Sequence, residues 1–133
     1  MSARQSLLSL RIRHASMAAE LIEEAVGQAA KVKWTAGDAR VAPNGRSIGG
    51  ARGETYCAFD VPEAGTLALN AAIIALGNRL ESRSAALTAL AVQGADIELY
   101  ATADEAKRGE MIEAATIAAL ARLNAGLAID WYK

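Results

Sequence analysis

The chain is short of the residues that most often carry chemistry. It has one cysteine, Cys57, and one histidine, His14. A lone cysteine excludes an internal disulfide and fits a reducing compartment. One thiol and one imidazole cannot supply the usual Cys/His ligand set of a zinc site within one chain, so no metal is expected. Aromatic residues make up only 5 % of the 133, so the 53 % hydrophobic content rests on Ala, Leu, Ile and Val. The formal net charge of −1 removes any global argument for nucleic acid. No uncharged apolar run reaches the roughly 18 residues a membrane helix needs. Residues 1–6 lead into only a short apolar run before Arg11 and Arg13, unlike a secretory signal. The expectation is a cytoplasmic protein, without membrane or nucleic-acid partners and without a cofactor.

What is present is regular patterning over one domain, residues 1–133. Leu8, Leu10 and Ile12 alternate with Ser9, Arg11 and Arg13, the signature of a half-buried strand. Ser16 is a candidate N-cap for a helix with Met17, Leu21, Ile22, Ala25 and Val26 on one face, closed at Gly27. Thr55 to Val61 reads as a second strand, stopped by Pro62. Thr66 to Gln93 reads as helix, with a break around Gly77 and Glu81–Ser84. Asp96 to Thr102 is a third strand, followed by a charged turn from Asp104 to Glu110. Met111 to Leu123 is a helix and Leu127 to Tyr132 a last strand.

Parallel strands buried on both faces read as unbroken apolar runs. Here every strand alternates and carries charge on its other face. One-sided burial predicts an α+β two-layer sandwich: a four-stranded, mainly antiparallel or mixed sheet with helices on one face, as a ferredoxin-like variant.

One segment breaks the pattern. Residues 31–53 hold Trp34, Pro43, Asn44 and several glycines, and carry Lys31, Lys33, Arg40, Arg46 and Arg52 against Asp38 alone, a net charge of +4. This reads as a long polar loop, a length that tends to go with function.

The run Trp34-Thr35-Ala36-Gly37-Asp38, the glycine-rich stretch after it and the aromatic-bearing strand at Tyr56 carry a resemblance. So do the leucine-striped helix, Leu120-Ala121-Arg122-Leu123 and the terminal Asp130-Trp131-Tyr132. Nearly the whole chain resembles the uncharacterised bacterial family known as domain of unknown function 4279. It departs at Tyr56, where a tryptophan is expected. The resemblance implies a small bacterial α+β domain and supplies no reaction, cofactor or catalytic residue.

Catalytic residues do not assemble on the page. His14 has no histidine partner, and Cys57, in a strand beside Phe59, reads as a small core residue. Gly49-Gly50-Ala51-Arg52-Gly53 is not a phosphate-loop motif, because it precedes a strand. Three tyrosines, Tyr56, Tyr100 and Tyr132, share the phase of the polar strand positions. A charged sheet face bearing tyrosines has the anchors enriched in interfaces. The expected function is therefore a non-enzymatic binding or interaction module, regulatory or immunity-like. It would act as a homodimer or with a protein partner. Its candidate contacts are Arg11, Arg13, Tyr56, Tyr100 and Tyr132 on the sheet, with Trp34, Arg40, Arg46 and Arg52 from the loop. The alternative is a small-molecule site, with or without chemistry, where Arg40, Arg46 and Arg52 hold an anion and Asp38 orients it. Trp34 and Asp38 also have a structural reading, as a loop anchor and a turn former.

Overall fold

The computed structural model describes residues 7–65, 67–104 and 111–132. Its elements run β1 (Leu7–His14), α1 (Ala19–Val26), β2 (Val32–Trp34), β3 (Ala39–Val41), β4 (Ser47–Ala51) and β5 (Thr55–Asp60). They continue with α2 (Leu69–Arg79), α3 (Ser84–Val92), β6 (Asp96–Asp104), α4 (Ala114–Arg122) and β7 (Gly126–Tyr132). Five strands form one mixed sheet in the order β2-β5-β1-β6-β7, and β3 and β4 form a separate hairpin. All pairs in the large sheet are antiparallel except β6 with β7.

The period-two pattern decides which face is covered. Leu10 stands between Phe59 and Leu99, and Ile12 between Cys57 and Ile97, so one side of the three central strands is continuously apolar. All four helices seal that side. They contribute Ile22 and Val26, Leu69, Ile73 and Leu76, Leu87 and Leu90, and Ala119 and Leu120 to a single buried cluster. Full burial of such a side chain contributes about 1.5–3 kcal/mol. Gly77 lies where α2 crosses α4: a Cβ there would sit 3.0 Å from that of Ala119.

The architecture is α+β with helices on one face, as the patterning predicts, but the sheet differs from a four-stranded, ferredoxin-like one. It has a fifth strand, and its last two strands are parallel neighbours. The extra strand comes from residues 31–53, which are not the single long loop expected. They supply edge strand β2 and the β3–β4 hairpin. Asn44-Gly45 makes the turn, with Gly45 at φ 83° and Ala42 N–H donating to the Arg46 carbonyl. An Asn-Gly pair is a strong hairpin signal, obscured here by the short, fully exposed strands around it.

Two helix boundaries shift for identifiable reasons. Ser16 is not the N-cap of α1. His14 Nδ1 accepts the backbone N–H groups of Ser16 (3.0 Å) and Met17 (2.8 Å), which holds both outside the helix. Its Nε2–H donates to the Gln93 carbonyl at 2.8 Å. The break between α2 and α3 falls at residues 80–83, at the expected Glu81–Ser84 group, while Gly77 stays inside α2. At α4, buried Asn70 sets the start. Its Nδ2 donates to the Met111 carbonyl, while its Oδ1 accepts from Glu113 N–H and the Thr116 hydroxyl. Most of the charged turn expected after Asp104 lies at 105–110, outside the described residues.

Candidate functional site

The second face of the sheet has no helix over it among the described residues. Pairing sets its side chains in rows across the strands. One row runs Trp34, Tyr56, Arg13 and Asp96; the next runs Val32, Ala58, Arg11 and Glu98. Trp34 and Tyr56 meet at 4.9 Å between ring centroids, tilted by 33°. The Arg52 guanidinium lies 3.8 Å above the Trp34 ring and that of Arg13 lies 5.0 Å from the Tyr56 ring. Arg13 also reaches Glu54 at 3.5 Å. The result is a cation–aromatic stack, Arg52–Trp34–Tyr56–Arg13, at the β2 end of the face. Each such contact contributes about 0.5–1 kcal/mol at an exposed position.

A second group sits toward β7. Arg11 lies 3.8 Å over the Tyr100 ring, and the Tyr100 hydroxyl donates to Asp130 at 2.8 Å. The hydrogen bond to this carboxylate raises the tyrosine above its ordinary pKa. Glu98 and Asp96 stand opposite Arg11 and Arg13 in register. The arginines instead stack on tyrosine rings, and Arg13 pairs with Glu54. Arg11 Nε and Thr102 Oγ1 are shielded from solvent without a hydrogen-bond partner among the described residues.

Beside the stack runs a groove. All of β2 lines one side, as Val32, Lys33 and Trp34. Ala39, Val41, Ala42, Pro43 and Ile48 of the hairpin line the other, with Asp38 and Arg52 at the join. Its volume is about 700 Å³. Val32, Val41 and Ile48 are 44 %, 47 % and 52 % exposed, so the apolar wall faces solvent. Because β2 pairs only with β5, its other backbone edge is free of any strand among the described residues.

The remaining candidates divide. Arg11, Arg13, Tyr56 and Tyr100 share the open face as expected, and Trp34 joins them there. Trp34 does not pin the segment to the core; two threonines do. Thr35 Oγ1 accepts Ala19 N–H, while Thr55 donates to the Met17 carbonyl and accepts Ala36 N–H. Asp38 Oδ2 accepts Thr35 N–H at 2.9 Å, which is the turn-forming role. Arg52 lines the groove, whereas Arg40 and Arg46 do not, so the three arginines do not converge on one point. The side chain of Tyr132 lies outside the described residues. Cys57 is buried against the Ala19 carbonyl, and burial pushes its thiol up to about 11, so it is not a ready nucleophile.

Sequence reasoning missed the groove and the two threonines. The groove's signal was the pair of isolated apolar residues, Val41 and Ile48, flanking an Asn-Gly turn. The threonines had no signal, since their partners are distant in the chain. Among the described residues no three His, Cys, Asp or Glu side chains gather as a metal-holding group, and no helix is long and apolar enough to cross a membrane. Comparison with family models, curated proteins and solved structures gives no match.

Proposed function

We propose that this chain is a non-enzymatic interaction module that holds a protein partner on its open sheet face and hairpin. The resemblance to domain of unknown function 4279 belongs to the same proposal. The observation that carries it is the Arg52–Trp34–Tyr56–Arg13 stack. It sits on a sheet face that no helix covers among the described residues, with its aromatic rings partly exposed. Ordered aromatic and arginine side chains lose little entropy on binding and dominate interface energetics. The groups available for chemistry are engaged elsewhere. His14 holds backbone, Cys57 is in the core and Asp38 closes a turn.

The test is affinity capture of the tagged protein from its own cells, read by native mass spectrometry. The expected result is one protein bound at fixed stoichiometry and lost on Tyr56→Ala together with Tyr100→Ala. Capture of no protein, or of a small anion lost on Arg46→Ala, overturns the reading.

A further inference from the structure

We propose that the groove between β2 and the hairpin takes an extended, acidic segment of the partner as an added strand. This inference rests on the interaction reading and says what kind of chain enters. Three features point to a strand. The groove runs along a sheet edge unpaired among the described residues, its inner side is the whole of β2, and the outer side is a β-hairpin with an apolar surface. A guest strand hydrogen-bonds the edge through its backbone, and its alternate side chains then face the two sides of the sheet.

Edge length sets what else is needed. β2 has three residues, so it offers only a few backbone hydrogen bonds. Val32, Val41, Pro43 and Ile48 supply apolar contact for side chains on one side of the guest. Charge selects its polar residues through the field of the hairpin: Arg52 lines the groove, while Arg40 and Arg46 lie on the hairpin outside the lining and act at longer range. The hairpin, residues 39–51, contains Arg40 and Arg46 and no acid. Neither arginine, nor Arg52, pairs with a carboxylate among the described residues, whereas Lys31 and Lys33 are already matched to Asp60, Glu20 and Glu23. The one acid in the groove lining, Asp38, is held at the join by Thr35 N–H and keeps its charge, which the hairpin arginines and Arg52 outnumber. The fitting guest alternates apolar residues with Asp or Glu. A second copy fits less well, because pairing β2 with β2 would bring the two cationic hairpins together.

The experiment selects random peptides about ten residues long on the immobilised full chain and measures the best of them by fluorescence anisotropy. The expected winners alternate Asp or Glu with Val, Ile or Leu. Their affinity falls about tenfold on Arg40→Glu with Arg46→Glu. It falls by a similar factor, about tenfold, when the peptide backbone is N-methylated at alternate residues, which removes edge hydrogen bonds and leaves side chains in place. The substituted arginines are exposed, so folding is not at stake; circular dichroism of the variants verifies it. Hydrogen exchange should slow at Lys33, whose backbone N–H faces away from β5 because Ala58 turns its carbonyl toward β2. Selection of no peptide, selection of neutral or basic ones, indifference to N-methylation, or self-association through β2 overturns the strand proposal. The partner capture above is scored separately. If it survives Arg40→Glu with Arg46→Glu but is lost with the tyrosines, the interaction reading stands and the strand proposal falls.

Discussion

The two faces of one sheet follow opposite rules. On the helix side, Phe59, Ile12 and Leu99 are at most 1 % exposed, and the buried polar groups, Asn70, Thr116 and Thr55, all have partners. On the open side, half-exposed arginines lie on aromatic rings, and two shielded polar atoms have no partner among the described residues. The same strands build both faces, so backbone pairing does not explain the difference. One face is optimised for closure. The other keeps polar and aromatic groups stacked on one another while leaving them accessible, with two polar atoms unpaired among the described residues.

Substitutions should separate the faces, beginning with the core. Phe59→Ala removes a fully buried ring between α-helices and sheet and should cost about 3–5 kcal/mol in chemical denaturation. Asn70→Ala comes next. It strands the Thr116 hydroxyl and Glu113 N–H inside the protein, at about 1–3 kcal/mol, and should speed amide exchange at the start of α4. Trp34→Ala should have a smaller effect, about 0.5–1 kcal/mol, while removing partner capture. A loss of stability as large as that of Phe59→Ala would mean that the stack belongs to the core.

The smallest effect concerns the tether between α1 and β2. Glu23 bonds Lys33 Nζ at 2.7 Å and Ala30 N–H at 2.8 Å, and these bonds hold its carboxyl below the ordinary range. A depressed folded pKa means that the tether stabilises above the unfolded value and is lost as pH falls through the folded one. NMR titration of the Glu23 carboxyl should show this low midpoint, and Lys33→Met should raise it toward the ordinary value. An unchanged midpoint would assign the depression to Ala30 N–H alone.

Much of the covered face was legible in the sequence. Leu8, Leu10 and Ile12, or Ile97, Leu99 and Ala101, announce their burial by period two, because the strand alternates whatever packs on it. The phase of Tyr56 and Tyr100 followed from the same rule. The stacking did not, since Arg11 had Glu98 opposite it and chose the Tyr100 ring. Residues 31–53 were the least legible. β2 has three residues and the hairpin is exposed throughout, so neither carries a hydrophobic period.

The sequence by itself determined the α+β class, the strand faces, the core cysteine and the cationic character of residues 31–53, because these depend on local periodicity and residue chemistry. Tertiary structure decided the strand order, the use of His14 as a backbone clamp, the Thr35 and Thr55 pins, and the groove. Each of these joins residues far apart in the chain through hydrogen bonds or packing, and local periodicity does not encode which distant partner a donor, a ring or a sheet edge will meet.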